Sequence, residues 1–99
     1  MDLNEIMAQA RELQEKVKTV QKELDKIVVK GLADNGAVIV DMTCKYNVKN
    51  VTISPEAMNN TAKKLSQIVM DAFIDAKNKA DAVIDDSMAD VTDGIGLPL

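Results

Sequence analysis

Residues 3 to 27, LNEIMAQARELQEKVKTVQKELDKI, place apolar side chains at Leu3, Ile6, Ala10, Leu13, Val17, Val20, Leu24 and Ile27. The steps alternate strictly between three and four, which is the a/d seam of a heptad. Polar residues such as Glu12, Lys16, Lys18, Lys22 and Glu23 occupy the other faces, and Glu12 and Lys16 stand at the favourable i,i+4 spacing. A helix on a globular core carries a wider stripe than this, and Met7 is the one clear extra apolar position. The pattern predicts a helix from about Leu3 to Lys26 and suggests packing on one helical neighbour, though an ordinary amphipathic helix lying on its own sheet fits nearly as well.

The chain can do little else with so much of its length. Its 99 residues make one domain at most, and a chain this short buries only roughly 60–65% of its unfolded surface. One Phe, one Tyr and no Trp leave a core of Val, Ile, Leu, Met and Ala. Self-association is the ordinary remedy for so small a core, and a homodimer is expected. The chain has no His, so Ser-His-Asp and Cys-His catalysis and a His-ligated zinc site are all excluded. No enzyme, cofactor or small-molecule substrate is expected. The lone Cys44 rules out a disulfide within the chain and fits a reducing compartment. No apolar run reaches membrane-spanning length and the opening Met1-Asp2-Leu3-Asn4-Glu5 is unlike a signal peptide. A soluble, intracellular protein is expected.

After the first helix the period changes to two. Ile27 to Leu32 reads as a strand, Ala33-Asp34-Asn35-Gly36 as a hairpin turn, Ala37 to Thr43 as a second strand and about Lys45 to Ile53 as a third. Two tight connections imply an antiparallel meander, and helices on one of its faces would give a two-layer α+β domain. Ser54-Pro55-Glu56 starts a short helix, Asn59-Asn60-Thr61 interrupts it with Thr61 as a fresh N-cap, and a long helix follows from about Ala62 to Asp86 or beyond. Ala72, Ala76 and Ala80 sit one turn apart there, so another backbone can approach closely. Met70 and Ile74 lie roughly opposite the main stripe and are expected at a subunit contact with Phe73, Val38 and Val40. A single domain over residues 1–91 with a Gly/Pro-punctuated flexible tail over 92–99 is expected.

Charge gives two readings. The net charge is −4, from 16 acids and 12 bases, so the overall field does not favour nucleic acid. Arg11, Lys18 and Lys22 share the outer side of the first helix with Lys16 and Lys26 on its flanks, and Lys63, Lys64, Lys77 and Lys79 stand on the second. Each could meet a phosphate as a point charge; ordinary solubilising charge is the simpler alternative, since no aromatic or glycine-rich element accompanies them. Asp81, Asp85, Asp86, Asp90 and Asp93 form an acidic run near a helix end. It lacks EF-hand spacing, so a solvated end is preferred over a metal site. Gly94-Ile95-Gly96 is too little for a nucleotide loop.

Several stretches, in order along nearly the whole chain, resemble the YbaB/EbfC family of small bacterial nucleoid-associated proteins. The first helix is similar in its Met7, Gln9, Ala10, Gln14 and Lys16 pattern. Gly36, Val38, Val40, Val51, Ile53 and Pro55 match the family's "G-x-V-x-V … V-x-I-D/S-P" core. DAFIDA at 71–76 resembles its "A-A-x-N-D-A", and Met88, Val91, Thr92, Gly94, Leu97 and Pro98 its closing "M-x-x-V-T-x-G-x-x-L-P". Two positions depart. Cys44 stands where the family has a hairpin Gly, so a looser turn or tolerated backbone strain is expected there, and Ile74 replaces the Asn of the third segment. The resemblance implies a non-enzymatic, tweezer-like homodimer whose long helices project from a joined sheet region. It implies low-specificity binding of duplex DNA in the cytoplasm and nucleoid, chromosome organisation and effects on gene expression. On that reading Arg11, Lys16, Lys18, Lys22, Lys63 and Lys64 contact DNA. The alternative is an acidic helical dimer that acts as an adaptor for DNA-transacting enzymes.

Overall fold

Asp2 opens the first helix, α1 (Leu3–Lys26), by accepting a hydrogen bond from the Glu5 N–H at 3.1 Å, an N-cap worth about 1 kcal/mol. The computed structural model describes residues 2–94. Three strands follow, β1 (Val28–Ala33), β2 (Val38–Thr43) and β3 (Val48–Ile53), antiparallel in the order β1-β2-β3. A 3-10 turn at Pro55–Asn59 leads to the second long helix, α2 (Ala62–Gly94). Thr61 Oγ1 accepts from the Lys64 N–H and starts α2 afresh, as its sequence suggested. The α+β order expected from the sequence stands. α2 runs on past residue 92, where a tail was expected to begin, and residues 95–99 lie outside the described chain.

Both hairpins use left-handed backbone. Asp34 and Asn35 take φ of 53° and 56° and Gly36 follows at 86°, with the Gly36 N–H donating to the Ala33 carbonyl; two left-handed central residues are the signature of a type I′ turn. In the second hairpin the third strand starts only at Val48, because residues 44–47 make the turn. A looser turn or strain was expected at Cys44; the positive φ (67°) of this hairpin belongs to Tyr46. Cys44 instead points inward and is buried, which raises its thiol pKa. Its N–H donates to the carbonyls of Leu24 and Ile27. The hairpin thereby satisfies carbonyls that the end of α1 leaves open.

Among the described residues α2 provides the main cover of the sheet. It lies over β1 and β2 on one face and leaves β3, all six residues exposed, uncovered. The approach is close enough to select residue types. A Cβ on Gly31 would fall 2.1 Å from the Ala72 carbonyl oxygen and 2.5 Å from the Ala76 nitrogen. Ala72, Ala76 and Ala80 are all fully buried. Val38 and Val40 point into this same contact and are completely buried within one chain. They were expected at a subunit contact; that assignment is corrected, because side chains already enclosed by their own helix have no surface left for a second copy.

α1 does not lie on the sheet. Val20 and Leu24 pack with Ala80, Val83 and Ile84, so α1 runs back antiparallel along the C-terminal half of α2. The two helices form an arm, and the molecule measures 67 × 22 × 17 Å. Its radius of gyration of 19.1 Å far exceeds the roughly 13 Å of a compact domain of this length. The heptad seam thus meets a helix where Val20 and Leu24 pack. Beyond that Leu3, Ile6 and Met7 are exposed.

Candidate nucleic-acid interface

Seven and four residues separate Arg11, Lys18 and Lys22, close to two turns and one turn of helix. They therefore form a row about 17 Å long, directed about 140° away from the seam that meets α2. All three are exposed and make no ion pair or hydrogen bond among the described residues. Lys26, one turn beyond Lys22, extends the row towards the sheet and is also exposed.

The other expected contacts fall elsewhere. Lys16 is half-buried on the flank of α1, about 140° around the helix from the row. Lys63 and Lys64 sit in the first turn of α2, at the sheet end. Ala80 is level with Leu24, so they lie roughly 25 Å further along the molecular axis than Lys22. The six bases do not converge on one surface. Lys45 and Lys49, which the sequence reading passed over, are exposed in the second hairpin and on β3. Lys49 is the extra residue of the bulge where Asp41 pairs with Asn50 and Met42 with Val48, an irregularity that was not visible as a sequence pattern.

Lys30, Lys77 and Lys79 are already paired. Lys79 Nζ bonds the Asp75 carboxylate at 2.9 Å and the Lys30 carbonyl at 2.8 Å, while Asp75 also accepts the Leu32 N–H at 2.8 Å. Those two side chains occupy the outer edge of β1, which would otherwise present open backbone groups. The Leu32 amide first, and Lys79 second, hold the Asp75 carboxyl below the usual carboxylate range. Asp81 binds the Tyr46 hydroxyl and, at 2.9 Å, Lys77. These partners lower its pKa in the same way, and the carboxylate raises that of the phenol. The contact latches the second hairpin onto α2.

Beside this latch lies a cleft of about 380 Å³ lined by Met42, Tyr46, Phe73, Ile74 and Lys77. Met70 and Ile74 are each 49% exposed on α2. Val51 and Ile53 pair with Val40 and Val38, so they face the same way as those residues and stand exposed on β3. Among the described residues no group of three or more His, Cys, Asp or Glu side chains could hold a metal, and no helix is long and apolar enough to cross a membrane.

Residues 1–95 match the YbaB/EbfC DNA-binding family. A nucleoid-associated protein of Nitrobacter hamburgensis is 39% identical over 94 residues, 94% of this chain and 89% of that protein. One from Rhodopseudomonas palustris (strain BisA53) is also 39% identical over 94 residues, covering 94% and 90%. The crystal structure of the uncharacterized protein HP0035 from Helicobacter pylori superposes with a TM-score of 0.80 over 91% of this chain and 96% of that one. At 10% identity that likeness concerns the fold alone.

Proposed function

The chain belongs to the YbaB/EbfC DNA-binding family, and on that premise we propose that it works as a homodimer that binds duplex DNA with little sequence preference. Its place is the nucleoid in the cytoplasm, where it organises the bacterial chromosome and modulates gene expression. It has no catalytic role. The observation that carries this reading is the unpaired row Arg11, Lys18 and Lys22 on the outer side of the arm. Its length matches about five base-pair steps of one strand, and Lys and Arg charges so spaced suit phosphates, which carry position but no sequence. Lys16, Lys63 and Lys64, set apart from the row, contribute less to the same duplex.

The apolar groove over β3 supports the homodimer. Phe73 and Ile74 line the cleft, Met70 is exposed on α2, and Val51 and Ile53 are exposed on the same face of the neighbouring β3. Ile74, in place of the family's Asn, adds to that surface. A second copy of α2 laid beside the first would fill the groove at the usual 8–10 Å helix spacing.

Mobility shifts on three unrelated duplexes, with light scattering in the same buffer, test the reading. Expected are a dimer, similar affinity for all three duplexes, and loss of binding in the Arg11→Ala/Lys18→Ala/Lys22→Ala variant. A variant that binds as well as the natural chain would sink the assignment to α1, and a well-folded monomer would sink the homodimer.

A further inference from the structure

The two helices of the arm carry opposite charge on opposite sides. Ile74, Asp81 and Asp85 repeat the spacing of Arg11, Lys18 and Lys22, seven residues and then four. They therefore form one row on α2, as the bases do on α1. α2 meets α1 through Ala80, Val83 and Ile84. The Ile74–Asp81–Asp85 row points well away from that contact, and the basic row points away from it on the far side of α1. From Asp81 onward α2 has only acids, and Lys77 is the one base beside the row, already paired to Asp81.

This arrangement decides what lies between two arms. The flank of α2 that bears Met70 and Ile74 is the one the proposed dimer turns towards its second copy. Further along, the same flank presents Asp81 and Asp85. The space between the arms of a dimer is then lined by Asp85 and by Asp81, whose charge Lys77 offsets, so it offers phosphate no unpaired base. The bases lie on the outside.

We propose that each dimer binds duplex DNA on the outer faces of its two arms, and so bridges two duplexes instead of gripping one between the arms. The inference rests on the homodimer and the DNA binding proposed above. Each duplex meets one row of Arg11, Lys18 and Lys22, with the two rows facing away from each other.

A capture experiment tests it. The natural chain is mixed with a bead-bound duplex and a second, labelled duplex of unrelated sequence, and the stoichiometry with short free duplexes is measured by light scattering. The expected result is retention of the labelled duplex, two duplexes per dimer, and loss of retention in the Arg11→Ala/Lys18→Ala/Lys22→Ala variant. An Asp85→Lys variant, which adds a base between the arms, is expected to retain the labelled duplex as the natural chain does. One duplex per dimer, with no capture, overturns bridging and leaves DNA binding intact. Capture by the triple variant overturns the outer-face assignment. Failure to bind any duplex overturns the proposed function and this inference together.

Discussion

The sheet end and the arm of this molecule are held together in different ways. At the sheet end α2 lies so close to β1 that Gly31 touches its backbone, and Val38, Val40, Ala72 and Ala76 are fully enclosed. Along the arm two helices meet through a single seam, and Leu3 at its tip is 70% exposed. The stability of the fold resides at the sheet end. The arm is a long lever that carries charge outward at little cost in core, because a helix needs only one apolar row to be held by another.

The largest effect that could break this comparison lies at Gly31. Gly31→Ala drives a methyl into backbone that cannot give way, and a loss of about 3 kcal/mol or more is expected by urea unfolding. Gly36→Ala, with open space but a left-handed φ of 86°, is expected to lose only about 1 kcal/mol. Equal losses would mean that the α2–β1 contact is looser than the distances say. Next comes the junction of the two regions. Leu24→Ala is expected to destabilise by roughly 2–5 kcal/mol, whereas Leu3→Ala at the tip stays within about 0.5 kcal/mol. A tip variant as damaging as Leu24→Ala would show the arm to be part of the core.

Ile74→Asp sharpens the comparison by affecting association and leaving the chain's own fold in place. A monomer with unchanged circular dichroism is expected from light scattering, and a dimer that survives would remove α2 from the interface. The smallest effect concerns pH. Asp75 is held below the unfolded carboxylate value, so its stabilisation is present above that value and is lost as pH falls through the folded one. The natural chain is therefore expected to lose stability below about pH 4, and Asp75→Asn to show a shallower acid limb. Identical limbs would mean that the edge of β1 does not depend on that carboxylate.

What the sequence disclosed follows the same division. Local signals were legible: the Asn35-Gly36 turn, Ser54 before Pro55, the Thr61 cap and the heptad seam all depend on residues a few positions apart. Ala72, Ala76 and Ala80 announced a close approach, but Gly31 as its other half did not, because more than forty residues separate them. Val38 and Val40 were misplaced because alternation identifies a buried strand face without saying whether its own helix or a partner covers it. Helical period separated Arg11, Lys18 and Lys22 from Lys16. It could not reveal that Lys63 and Lys64 lie at the other end, since that depends on α1 running back along the far half of α2.

The salt dependence of duplex binding tests the central claim most directly. If Arg11, Lys18 and Lys22 grip each duplex, they account for a fall in log K of about 2.7 per tenfold rise in salt, and the slope shrinks by that much when all three are replaced by Ala. A variant that keeps the full slope would place the phosphate contacts on some other surface and contradict the account.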